Sequence, residues 1–196
     1  MRTLRLLAPL ASLVLTAAPT EMALTSADGF ALKGTLTLPA VKGKVPVVIL
    51  AHQFHADRAG WAPLAERLAA RGIGTLALDL RGHGASTQKG GTEVAVSTDF
   101  MASAKAVGFD QIPADLAQAA AWLRKQPGVD GRRIGLAGAS VGAFSVILAA
   151  PEVGPVAVLS LSPAGTVVFG EGARERLKGA QIRGRATTLI LAATAD

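Results

Sequence analysis

Cysteine is absent from the 196 residues. That excludes a disulfide framework, a thiolate zinc site, a cysteine nucleophile and a lipid anchor of the lipoprotein kind. Tyrosine is absent as well, and aromatic residues make up only 4% of the chain. Histidine occurs three times, as His52, His55 and His83, in two loops and without the spacing of metal ligands. No histidine follows His83. The formal charge is +6, yet there is no Lys/Arg run and no basic stripe interleaved with aromatics, so nucleic acid is not an expected partner. No apolar run approaches the ~20 residues of a membrane span.

Half of the residues are hydrophobic, enough for one domain with a sizeable core. Residues 1–18 carry Arg2 and Arg5, an apolar stretch from Leu6 to Leu15, and small residues at Thr16-Ala17-Ala18. This is the pattern of an export signal, and periplasmic or secreted residence is expected. The alternative is an uncleaved N-terminal helix or anchor. Without Arg2 and Arg5 the charge is +4, a modest excess.

From residue 19 onward the chain alternates strand and helix signals. Residues 21–38 alternate polar and apolar around Asp28-Gly29, as a β-hairpin does. Val45 to Ala51 is a short β-branched apolar run, the mark of a strand buried on both faces. A helix through Trp61, Leu64, Ala65 and Leu68 leads to a second buried strand, Gly74 to Leu80, and to the loop Arg81-Gly82-His83-Gly84-Ala85-Ser86. Residues 87–112 read as a loop with one short helix. Pro113 opens a helix that stops at Pro127-Gly128, and a strand is expected over 132–138. Further strands are expected at Val156 to Leu161 and Thr187 to Ala192, with a short charged helix over Ala173 to Lys178 between them. The order implies a mostly parallel sheet with an N-terminal antiparallel hairpin and helices on both faces.

The centre of this plan is Ile134 to Ala150, where a strand turns straight into a helix through Gly138-Ala139-Ser140-Val141-Gly142. GxSxG at such a corner forces the serine into a strained backbone and lifts its hydroxyl over the sheet edge. Gly138 and Gly142 are explained by crowding. The Val141 amide and the helix dipole point to where an oxyanion would form on Ser140. A dinucleotide-binding turn does not fit: Phe144 stands in the third glycine's place, and no tyrosine is present to act as the acid of short-chain dehydrogenases.

The hairpin, Ala51-His52-Gln53-Phe54, Leu78-Asp79-Leu80-Arg81-Gly82-His83-Gly84-Ala85-Ser86, the elbow at Ser140, and Leu189-Ile190-Leu191-Ala192-Ala193-Thr194-Ala195-Asp196 together resemble the α/β-hydrolase superfamily. The likeness is to its dienelactone hydrolase and prolyl-oligopeptidase-like branches. It implies that residues 19–196 form an α/β-hydrolase domain with Ser140 as nucleophile and Asp196 as the acid after the seventh strand. It also implies oxyanion donors at Phe54 and Val141, although Gln53 stands where the family has glycine. Glu171 and Glu175 are the other acid candidates. His52 and Asp79 are expected to hold the site loops; His55 is a candidate replacement base.

The resemblance implies a serine hydrolase acting on a small-molecule ester or on peptide or amide bonds, and no cofactor or metal is expected. The family order of Ser, Asp and His lacks its histidine here, and the last helix and strand are missing. The chain is therefore either a fragment of a longer product or a protein without a complete triad. The alternative function is a non-catalytic α/β-hydrolase-like binding module. The last strand is expected to be a bare sheet edge beside an uncovered core face.

Overall fold

The computed structural model describes residues 16–163, 166–169, 172–183 and 186–192. Strands β1 (Thr20–Thr25) and β2 (Ala31–Thr37) form the N-terminal hairpin. Its turn carries Gly29 at φ 93°, and the Ser26 hydroxyl receives the Phe30 amide at 2.8 Å. There follow β3 (Val45–Ala51), α1 (Ala62–Ala69) and β4 (Gly74–Asp79). Next come a small hairpin of β5 (Gln88–Lys89) and β6 (Thr92–Glu93), then α2 (Phe100–Val107) and α3 (Ile112–Leu123). The last part holds β7 (Val129–Ala139), α4 (Val141–Val153), β8 (Ala157–Leu161), α5 (Ala173–Arg183) and β9 (Thr187–Leu191).

Seven strands make one sheet in the order β1-β2-β4-β3-β7-β8-β9. The pairings β1/β2 and β2/β4 are antiparallel and all the others parallel. Helices α3 and α4 pack on one face, over Val47, Ile49 and Ile134, while α1 presents Leu64 and Leu68 toward Val48 and Gly135 on the other. Helix α4 is apolar almost all round, and residues from Val141 to Val153 are buried along it. The expected fold class holds.

Residues 87–112 are more ordered than expected. Besides the β5/β6 hairpin, α2 is a complete helix capped at both ends: the Asp99 carboxylate accepts the Ala102 amide at 2.9 Å, and Gly108 closes it at φ 78°. Its alanine-rich centre hid the buried stripe Ser103, Ala104 and Val107. Strand β7 begins at Val129, earlier than 132, because Val45 pairs with Val129 ahead of a register shift. Helix α5 runs on to Arg183 instead of ending at Lys178.

Strand β9 forms one edge of the sheet, with Leu189, Ile190 and Leu191 exposed at 53%, 42% and 49%. Beside it lies a hollow of about 290 Å³ lined by Leu64, Leu68, Leu136, Val158 and Leu189. An uncharged apolar edge of this kind templates pairing with another chain. Self-association of the 196-residue chain is therefore expected to rise with concentration in light scattering, and Ile190→Lys is expected to suppress it.

Candidate active site

Ser140 is the single residue between the end of β7 and the start of α4, at φ 51° and ψ −114°. Its side chain caps nothing, which sets aside a simple helix-cap role. The backbone is held from both sides: the Ser140 amide donates to Leu161 O at 2.9 Å, and its carbonyl accepts the Phe144 amide at 3.1 Å. The flanking glycines are sterically required. A Cβ on Gly138 would lie 2.7 Å from Ala143 N, and one on Gly142 would lie 2.6 Å from His52 O. The elbow closes only because α4 comes down onto the end of β3 without side chains in between.

The loop after β3 supplies the facing wall. His52 is buried and both ring nitrogens are engaged: Nε2 accepts the Leu80 amide at 3.0 Å, so Nδ1 carries the proton and donates to Gln53 O at 2.7 Å. Burial pushes its pKa down. His52 thus ties the ends of β3 and β4 together. Phe54 is half-buried, its ring 5.0 Å from that of Phe100 and 5.7 Å from that of His83. His55 is exposed and strained at φ 58°.

Asp79, at the end of β4, accepts two backbone amides. Its Oδ1 accepts the Arg58 amide at 2.8 Å and its Oδ2 the Ala85 amide at 2.9 Å, joining the two site loops. Gly84, at φ 51°, leaves room for that carboxylate; a Cβ there would lie 2.6 Å from Asp79 Oδ1. His83 is buried, with Nδ1 donating to Arg81 O at 3.0 Å and Nε2 unpartnered. Burial pushes its pKa down to about 4. His52, with both ring nitrogens engaged, is not free to take a proton from Ser140, whereas His83 keeps Nε2 as an unpartnered acceptor. Asp196 and Glu171 lie outside the described residues, and Glu175 is exposed on α5.

The lowered histidine pKa values set an acid limit on stability. Both rings are neutral in the fold, whereas the unfolded chain binds protons below about 6.5, so stabilisation is complete above that pH and drains away toward pH 4. His83 alone accounts for a loss of about 3 kcal/mol. The urea midpoint is expected to fall steadily from pH 7 to pH 4.5; a flat midpoint across that window would contradict the buried neutral state.

Sequence reasoning missed an ion network behind the loop. Arg81 is fully buried and forks onto Asp115, with Nε to Oδ2 at 2.7 Å and Nη2 to Oδ1 at 2.8 Å. It also reaches Asp28 in the hairpin turn, with Nη2 to Oδ1 at 2.9 Å. Burial opposes charge on Asp28, but hydrogen bonds from Arg81, Ser26 and Lys89 hold its carboxyl well below the usual carboxylate range. The available signal was Asp115 itself, an acid beside Leu116 on the apolar face of α3.

A cavity of about 250 Å³ opens at this end of the sheet, lined by His52, Gln53, Ala56, Asp57, Gly60, Trp61, Ala139 and Leu161. A larger hollow, about 390 Å³, lies away from Ser140 between α1 and the β2/β4 strands. Among the described residues no group of three His, Cys, Asp or Glu side chains is placed to hold a metal ion, and no helix is long and apolar enough to cross a membrane.

Residues 43–178 match the family described as serine aminopeptidase, S33. Among solved structures, acetyl xylan esterase 1 from Thermoanaerobacterium sp. JW/SL YS485 superposes with a TM-score of 0.70 at 20% identity, over 87% of this chain and 66% of that one. An acetyl xylan esterase from Paenibacillus sp. R4 gives 0.68 at 18% identity, over 93% and 73%. An α/β hydrolase from Penicillium sp. sh18 gives 0.58 at 25% identity, over 75% and 46%. The chain therefore spans between about half and two thirds of the length of the first and third of these. No curated protein matches it. The match over 43–178, on a sheet that carries GxSxG at its strand-to-helix corner, means that this chain belongs to the α/β-hydrolase superfamily.

Proposed function

We propose that the protein is a serine hydrolase that cleaves carboxylic esters through an acyl-enzyme on Ser140. The observation that carries this reading is the backbone of Ser140, an L-residue held at φ 51° with its hydroxyl free of any capping bond. In the proposed cycle Ser140 Oγ attacks the acyl carbon and gives up its proton to a base. The oxyanion of the tetrahedral intermediate is received by the amides of Val141 and Phe54, and the alcohol leaves. Water then adds to the acyl-enzyme and regenerates the hydroxyl. Asp196 remains our candidate for the carboxylate that orients the base.

Esters are favoured over peptide or amide bonds on chemical grounds. An amine must be protonated as it leaves, whereas an alkoxide departs with less help, and both ring nitrogens of His52 are already engaged. The matched solved structures named as esterases support the same choice. The engagement of both His52 nitrogens supports a second reading, a module that binds a ligand without turning it over. Turnover of p-nitrophenyl acetate by the 196-residue chain, compared with an aminoacyl-p-nitroanilide, separates these. Ester turnover alone fits the first reading, and no turnover of either substrate supports the second.

Export follows as part of the proposal from the charged start and apolar stretch of residues 1–18. The amino-terminal sequence of the mature protein tests it: a start just beyond Ala18 is expected, and a start at Met1 contradicts it.

A further inference from the structure

No stretch of the sequence is a basic run, yet the fold gathers bases at one end. The parallel strands β3, β4 and β7 begin side by side: Val47 pairs with Gly74 and with Ile134, and Val45 pairs with Val129. Lys42 and Lys44 sit just before β3, Arg71 in the turn before β4, and Arg124 and Lys125 in the turn before β7. Arg132 and Arg133 lie in the first half of β7, ahead of Ile134. All of these bases are exposed. Arg133 Nη2 donates to Lys44 O at 3.3 Å, which joins two of the segments directly.

Few acids answer them. Among the described residues, Asp130 accepts Arg133 Nε at 2.7 Å, and Glu152 stands in the last turn of α4. Glu66 and Arg67, near the end of α1, offset each other. The excess of bases here is larger than the +4 of residues 19–196 as a whole, so the remainder of that chain is on balance slightly acidic. Charge is thus divided along the strand axis. Ser140 lies at the other end of β7, where Asp57 and Asp79 stand in the facing loops.

The basic end also exposes apolar side chains. Val41, next to Lys42, is 52% exposed, and Val156, whose amide donates to Ile134 O at 2.8 Å, is 50% exposed. The chain enters the fold at this same end. Thr16 bridges Pro39, Ala17 N donates to Leu38 O at 2.9 Å, and Thr37 pairs with Thr75 at the start of β4. In the sequence Thr16 directly follows the apolar stretch from Leu6 to Leu15. Bases surrounding exposed apolar residues suit the boundary of an anionic lipid layer, where phosphates meet the bases and the apolar groups leave water. A polyanion without an apolar phase would use the bases alone.

We propose that this end of the molecule lies on an anionic phospholipid surface, with the bases around the starts of β3, β4 and β7 against the headgroups and Ser140 at the end turned away. The inference does not depend on the hydrolase reading.

The test is cosedimentation of the 196-residue chain with phosphatidylcholine vesicles, either pure or mixed with phosphatidylglycerol. At low ionic strength the mixed vesicles are expected to bind about 100-fold more tightly, and the difference is expected to vanish near 1 M salt, where screening acts within ~3 Å. A base at such a surface is worth about 5-fold, so Lys44→Gln with Arg132→Gln is expected to cut the preference by about 20-fold. Lys89→Gln with Lys105→Gln removes the same charge from the β5/β6 hairpin and α2 and is expected to leave the preference within about 2-fold. Residues 1–15 are the same in every protein, so their contribution cancels. Both double variants are expected to melt within a degree or two of wild type, since all four side chains are on the surface. Equal binding to the two kinds of vesicle would overturn the proposal, and so would an equal loss in the two double variants, which would reduce the effect to net charge. A duplex DNA bound more tightly than the mixed vesicles would overturn the choice of a lipid.

Discussion

Ser140→Ala is expected to lose ester turnover by about 10³-fold or more while melting within a degree or two of wild type. The substitution deletes one oxygen atom and leaves the strained backbone unchanged, because alanine at φ 51° meets the same Cβ clash as serine. The Ser140 hydroxyl caps no helix, so its removal opens no unsatisfied partner in the fold. On the proposed mechanism, binding and oxyanion stabilisation by the amides of Phe54 and Val141 would remain, the residue of catalysis that survives when a nucleophile alone is removed. Ser140→Gly is equally inactive in this account, yet more stable, since glycine relaxes the elbow. Steady-state kinetics on p-nitrophenyl acetate with a thermal melt of each variant checks both halves. Turnover persisting in Ser140→Ala would place the nucleophile elsewhere.

Arg81→Met is expected to destabilise the fold by about 3–5 kcal/mol. The side chain of Asp115 is only 8% exposed, and removing its guanidinium leaves a carboxylate buried without its partner. Burial already pushes the Asp115 carboxyl up, and Arg81 is what opposes that push. The loss is expected to shrink when Asp115 is replaced as well: Arg81→Met with Asp115→Leu leaves two apolar side chains of suitable size, and the double variant should recover most of the single variant's deficit. Urea denaturation of the four proteins in the cycle gives the coupling directly. Additive effects would show that the fork contributes nothing beyond its separate side chains.

Much of the fold was legible because its signals are local. The run Val45 to Ala51 can be buried on two faces only as an inner parallel strand, and Asp28-Gly29 can hardly be anything but a turn. The elbow was legible for the same reason, since Gly138 and Gly142 face crowding created within a few residues of Ser140, and the only distant party is the end of β3. His52 and Asp79 drew attention through their places at the ends of buried strands. The rest depends on partners far apart in the chain. Arg81 finds Asp115 and Asp28 at separations of 34 and 53 residues, and no short pattern announces that meeting. The left-handed backbones of His55 and Ser162 fall on non-glycine residues in loops, and the residue types alone gave no warning. The one short helix expected within 87–112 could not be bounded because the alanines of α2 blur the helical period, although Asp99 and Gly108 mark its ends.

The account stands or falls on which oxygen becomes acylated. Mass mapping of peptides after treatment with a fluorophosphonate reads this without reference to the natural substrate. The expected result is a single adduct on the peptide that spans Gly138 to Gly142, assigned to Ser140 and absent from Ser140→Ala. An adduct on any other residue, or one that survives in Ser140→Ala, would contradict it.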